Sequence, residues 1–119
     1  LVIPNLKGKL DGIAIRVPTT NVSLIDFTFI SKKQTSIDSI NKAIIKASKT
    51  KNLQGVLSVN NLPLVSIDFN HNSSSSIFDL TQTNVLKNNF CRILSWYDNE
   101  WGFSNRMIDT LLNFKKLIN

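Results

Sequence analysis

The sequence predicts an α+β fold: a mostly antiparallel sheet with helices on one face and a further helix at the C-terminal end. Three observations predict it. Short apolar runs with period-two alternation recur along the chain, joined by turns too brief to hold a crossover helix. Residues 36–49 switch to a helical period. The last stretch does so too, with Met107, Leu111, Phe114 and Ile118 at helical spacing and Ile108 and Leu112 widening the stripe. At 119 residues, 42% hydrophobic and 18% charged, the chain is at most one domain of ordinary globular composition.

Lys7-Gly8-Lys9-Leu10-Asp11-Gly12 reads as a turn-rich lead-in. Residues 13–17 then alternate, with Ile13, Ile15 and Val17 on one face and Ala14 and Arg16 on the other, and Pro18 ends the strand by withholding a ladder donor. Arg16 is thus predicted to project from a short strand. A surface arginine is the plain reading; a guanidinium fork fixed there also suits bidentate grip on a phosphate.

Residues 22–30 form a second predicted strand, apolar on both faces, so cover is expected from a helix layer on one side and another subunit or domain on the other. Asp26 and Thr28 would need partners if buried. Thr35-Ser36-Ile37-Asp38 resembles a capping box, with Asp for the usual Glu, and Ile37, Ile40, Ala43, Ile44 and Ala47 give the following helix its apolar stripe. Gly55 opens an extended piece over 56–59. Residues 64–69 alternate, which predicts another strand, and 77–79 and 82–85 read as two short strands about a turn. The Ser73-Ser74-Ser75-Ser76 run between them fits either a flexible linker or a tight, ordered loop. Residues 90–97 complete a count of about six strands.

Net charge of +6 invites a nucleic-acid interface. The 11 lysines and 3 arginines are spread along the chain without interleaved aromatics to stack bases, so a solvated lysine face is the expectation and nucleic-acid binding is not. A single cysteine excludes an internal disulfide and suits a reducing compartment; Cys91 lies in an apolar run and reads as a buried, inert thiol. No Cys/His cluster has metal-ligand spacing, no glycine-rich phosphate loop occurs, and no apolar run approaches the ~20 residues of a membrane span. Leu1-Val2-Ile3-Pro4-Asn5 lacks a basic n-region, so no signal peptide is expected; a start in mid-pattern reads as a piece of a longer chain. His71 has no acid or nucleophile fixed beside it in sequence.

The chemistry concentrates at the last corner. The run 90–97 feeds Asp98-Asn99-Glu100, and a helical pattern follows at once, which places polar side chains at an element terminus where a rigid scaffold can hold a ligand. Core packing by the aromatics and a helix cap at Asp98 are the structural alternatives.

Trp96-Tyr97-Asp98-Asn99-Glu100-Trp101-Gly102-Phe103-Ser104-Asn105-Arg106 resembles the C-terminal signature of the glyceraldehyde-3-phosphate dehydrogenase superfamily. Gly12-Ile13-Ala14-Ile15-Arg16-Val17-Pro18-Thr19 with Asn21-Val22-Ser23 resembles its phosphate-recognising segment, and Ser76-Ile77-Phe78-Asp79 fits as well, so the likeness runs in order over nearly the whole chain. Leu62 to His71, Thr81-Gln82-Thr83, and Phe103 with Asn105-Arg106-Met107 lean toward the D-erythrose-4-phosphate dehydrogenase branch; Tyr97 and the four serines depart from it.

The resemblance implies that residues 1–119 are a partial C-terminal catalytic domain, with the NAD-binding domain, the nucleophilic cysteine and the base all on sequence this chain lacks. It implies NAD-dependent oxidation of a phosphorylated sugar aldehyde through a cysteine thioester, in a cytoplasmic homotetramer. In the erythrose branch this serves pyridoxal phosphate synthesis; in the glyceraldehyde branch, glycolysis. Arg16 matches the arginine that binds substrate phosphate and Asn99 the asparagine that holds the nicotinamide carboxamide, with Glu100 and Phe103 lining the same pocket. Neither Cys91 nor His71 matches a catalytic position, and the terminal helix would pack on the cofactor domain. The rival from another class is a non-catalytic basic binding module.

Overall fold

The computed structural model describes residues 3–118. Among these residues five strands and two α-helices build one mixed α+β unit: β1 (Ser23–Ile30), α1 (Ile37–Ser48), β2 (Leu57–Asn60), β3 (Ser76–Asp79), β4 (Asn84–Leu86), β5 (Phe90–Tyr97) and α2 (Trp101–Ile118). β5 is the axis of the sheet. β1 pairs antiparallel along its whole length, from Ser23 opposite Tyr97 to Ile30 opposite Phe90, while β4 and β3 share its other edge. β2 adds to β3, giving the order β1-β5-β3-β2. That last pairing is parallel, which the short connections did not predict.

The core lies where β5 crosses the middle of the chain. Val22, Phe69 and Ile77 are buried together, with Leu64 and Trp96 packed against them, and Phe69 stacks on Trp96 at 5.2 Å between ring centroids. The Trp96 indole reaches a polar partner, donating from Nε1 to Asp79 Oδ2 at 3.0 Å. Cys91 is fully buried, as an inert thiol should be.

Helix α1 starts as its sequence predicts, one residue off the expected box. Ser36 is the N-cap, its Oγ accepting from the Ser39 amide, and Asp38 pairs with Lys42 one turn on instead of reaching back. The serine run is an ordered loop. Ser74 is buried, and Ser76 and Ser95 share a hydroxyl–hydroxyl bond of 2.6 Å.

Four expectations are corrected. Residues 13–17, the predicted first strand carrying Arg16, form exposed coil, with Ile13 89% and Ile15 75% accessible. An alternating run becomes a strand only when a neighbour completes its ladder, and no described strand pairs with this one. Residues 64–69 are not a strand either: Ser66–Phe69 is a 3-10 turn that inserts Phe69 into the core and leaves Val65 and Ile67 outside. Leu80–Gln82 is likewise a 3-10 turn, so the strand predicted over 82–85 shifts to Asn84–Leu86 and the count falls to five. No helix layer covers β1 among the described residues, and Leu24, Ile25, Phe27 and Ile30 are exposed in the single chain; the other expected cover, another subunit or domain, would come from outside it. Asp26 is not buried; a bidentate pair with Arg92 across the β1–β5 ladder satisfies it at 2.8 and 2.6 Å.

Candidate functional site

Where β5 ends, the chain must turn into α2, and that turn is built on one carboxylate. Asp98 is only 2% exposed. Its Oδ1 accepts from the Trp101 amide at 2.8 Å and the Glu100 amide at 3.1 Å, satisfying donors that the first helical turn leaves without partners. Its Oδ2 accepts from the His71 amide and from Asn21 Nδ2, each at 2.9 Å. Burial pushes this carboxyl upward, but the Trp101, His71 and Glu100 amides and the Asn21 side chain outweigh it, so its pKa lies below the usual aspartate value. The cap foreseen at Asp98 is therefore a four-way junction that also draws in the coil before β1 and the turn after Phe69.

Asn99 follows, exposed, with its carboxamide against the hydroxyl of Ser23 across the ladder. Nδ2 donates to Ser23 Oγ at 2.7 Å, and Ser23 Oγ lies 3.0 Å from Oδ1. Between Asn21 and Ser23 stands Val22, buried, with φ of 72°. A β-branched residue is strained in that region, and such backbone persists only where surrounding contacts over-determine it. Here the contacts are the core around Val22 and the two hydrogen bonds that flank it.

The far wall of the corner is the serine loop. Gly102 is buried so close to it that a Cβ would meet the Ser74 carbonyl oxygen at 3.2 Å. Arg106, one turn on, donates from Nη1 to Gly55 O at 3.0 Å and to Ser73 O and Ser75 Oγ at 3.3 Å, while Asp109 holds its other nitrogens. The first turns of α2 are thereby fixed to the body. Beyond them the helix is exposed along its apolar stripe, from Met107 to Ile118.

Of the residues singled out from sequence, the structure fixes Asn99 and leaves Arg16 in the exposed coil, with no hydrogen bond or ion pair among the described residues. No hydrogen bond joins the two. The link between them is the chain itself: Asn21 is five positions on from Arg16, a reach of at most about 18 Å, and Asn21 is tied to the carboxylate beside Asn99. Glu100 and Phe103 are exposed at the start of α2. His71 has φ of 60° and lays its ring on Trp101 at 5.2 Å, but it enters the junction through its backbone amide, not its imidazole. Sequence reasoning missed Asn21, Val22 and Ser23 as parts of the corner. Nothing in their spacing betrays a contact with residues 77 positions away.

A primary amide such as Asn99 carries two N–H donors and an oxygen with two lone pairs. Ser23 engages one donor and the oxygen, leaving one N–H and one lone pair for a ligand amide, a donor set that fits a carboxamide such as that of NAD. Among the described residues no group of His, Cys, Asp and Glu is placed to hold a metal ion, and no helix is long and apolar enough to cross a membrane.

Residues 1–99 match the family model of the glyceraldehyde 3-phosphate dehydrogenase C-terminal domain. Among curated relatives, the chain is 57% identical over 117 residues to a glyceraldehyde-3-phosphate dehydrogenase of Xanthobacter flavus, covering 98% of this chain and 35% of the relative. It is 53% identical over 110 residues to the chromosomal enzyme of that name from Cupriavidus necator, covering 92% and 32%. A Zymomonas mobilis enzyme of the same name is 51% identical over 118 residues, covering 99% and 35%. The chain spans about a third of the length of these relatives.

Proposed function

Because the chain belongs to the glyceraldehyde 3-phosphate dehydrogenase C-terminal domain family, we propose that it supplies the phosphate- and nicotinamide-gripping part of a longer, NAD-dependent oxidoreductase acting on a phosphorylated sugar aldehyde. The observation that carries the proposal is the Asp98–Asn99 corner: an exposed carboxamide on a buried, four-fold hydrogen-bonded anchor. A side chain so mounted orients a bound group at little entropic cost. Asn99 would hold the carboxamide of NAD, and NAD, when bound, supplies the acceptor for the hydride leaving the aldehyde carbon. Arg16 would grip the substrate phosphate with its guanidinium fork. The thiol nucleophile, the base and the dinucleotide-binding domain belong to sequence outside this chain, and the enzyme is expected to assemble as a cytoplasmic homotetramer.

Glyceraldehyde 3-phosphate is the substrate we favour, since relatives at 51–57% identity bear that name. Erythrose 4-phosphate is the second reading, motivated by Leu62 to His71, Thr81-Gln82-Thr83, and Phe103 with Asn105-Arg106-Met107. The structure gives those threonines other work. Thr81 Oγ1 donates to Asp79 and Thr83 Oγ1 to Asn41, so they fasten the 3-10 turn and α1. Assay of the full-length protein with each aldehyde, with and without inorganic phosphate, tests both. Phosphate-dependent NADH formation from glyceraldehyde 3-phosphate supports the first reading. Faster, phosphate-independent oxidation of erythrose 4-phosphate supports the second, and NADH from neither aldehyde overturns the proposal.

A further inference from the structure

We propose that Ser23 is the positioning residue for Asn99: its hydroxyl fixes the rotation of the carboxamide, and the strained junction at Val22 fixes the hydroxyl. The inference rests on Asn99 being the nicotinamide contact proposed above.

An exposed asparagine rotates freely about two bonds unless something holds its amide, and a freely rotating amide presents donor and acceptor to a ligand in no set order. Ser23 is the only side chain among the described residues that bonds the Asn99 amide. It sits opposite Tyr97 at the first rung of the β1–β5 ladder, so its height beside the corner is set by register. Its position along the chain is set by Val22, whose φ of 72° bends the backbone between a residue bonded to Asp98 and a residue bonded to Asn99. Asn21 and Ser23 are two residues apart and would share a face of a regular strand; the left-handed φ of Val22 interrupts that backbone between the two bonds. Their side chains meet adjacent residues of one corner, Asp98 and Asn99. Strain at that point is held between two bonds, one amide on the anchor and one hydroxyl on the presented carboxamide, so the position of the hydroxyl is over-determined.

The test is a double-mutant cycle in the full-length enzyme, read by calorimetric titration of NAD as well as by steady-state kinetics. Ser23→Ala is expected to weaken NAD binding about three- to tenfold, the loss of one hydrogen bond, and to leave the KM for the aldehyde unchanged. In an Asn99→Ala background the same change should have no further effect. Ser23→Thr, which keeps the hydroxyl, should restore most of the affinity. A serine this close to the surface tolerates loss of its hydroxyl without unfolding, and an unaltered circular dichroism spectrum would verify it. If Ser23→Ala weakens NAD binding equally in both backgrounds, its role is structural and the inference is overturned. It is overturned alone if Asn99→Ala weakens NAD binding and Ser23→Ala does not. If Asn99→Ala leaves NAD binding intact, the assignment of Asn99 has failed and the inference goes with it.

Discussion

Asn21 and Asp98 lie 77 residues apart in sequence and are joined by a hydrogen bond of 2.9 Å from Nδ2 to Oδ2. That bond closes the corner. It ties the coil that carries Arg16 to the carboxylate from which both Asn99 and α2 depart, and the His71 amide arrives at the same oxygen.

Removing this anchor should be costly. Asp98→Ala leaves four donors facing a dry gap, and buried donors without acceptors destabilise by about 1–3 kcal/mol each before relaxation. A net loss of about 3 kcal/mol in denaturant unfolding is expected, and Asp98→Asn should lose less, since its remaining oxygen still accepts. A variant within about 0.5 kcal/mol of the parent, the range of ordinary surface changes, would deny Asp98 its role as anchor.

The same carboxylate gives stability a defined pH dependence. Its folded pKa is depressed, so its contribution is fully present above the unfolded value near ~3.9 and is lost as pH falls through the lower folded value. Asp26, held down first by its hydrogen bonds to Arg92, acts in the same direction from an exposed site. Acid titration of the unfolding free energy should therefore show a loss below the ordinary aspartate range that shrinks in Asp98→Asn. Identical acid limbs in parent and variant would assign the loss to other groups.

Gly102→Ala sets helix propensity against packing. Alanine favours a helix over glycine by about 1 kcal/mol, yet its Cβ would stand 3.2 Å from the Ser74 carbonyl oxygen. The loop cannot easily retreat, because Arg106 binds its neighbours Ser73 and Ser75. Packing is expected to win, with a net destabilisation of about 1 kcal/mol seen as a lowered melting temperature. A raised one would mean that the serine loop yields.

Arg16→Ala and Asn99→Ala should separate kinetically. Losing a charge-assisted phosphate contact should raise the KM for the aldehyde about 10- to 100-fold while NAD affinity stays put. Asn99→Ala should do the reverse, weakening NAD use with substrate phosphate binding intact. If both variants move the same constant, the two residues do not serve different ligands.

Taken alone, residues 1–119 should associate. β1 presents Leu24, Ile25, Phe27 and Ile30 at a sheet edge, and α2 presents Met107, Leu111, Phe114 and Ile118. Apolar surface of that extent on an unpaired edge seeks another chain. Sedimentation of the isolated chain should show oligomers that bind a hydrophobic dye; a dye-silent monomer with a cooperative melt would contradict this.

Local pattern by itself determined much of the molecule. The stripe of α1, the apolar run of β5, the long period of α2 and the polar corner between the last two are all properties of neighbours in sequence, and they stand in the structure as read. The letters of the corner likewise carried the family. Tertiary structure decided the rest. Residues 13–17 and 64–69 alternate as a strand should, but one lies in coil and the other curls into a 3-10 turn, because a ladder needs a partner and the core needed Phe69 turned inward. The strained φ at Val22, the four donors on Asp98 and the grip of Ser23 on Asn99 arise between segments distant in the chain. Periodicity reports only which face a side chain takes on its own element; which other element meets that face is settled by packing.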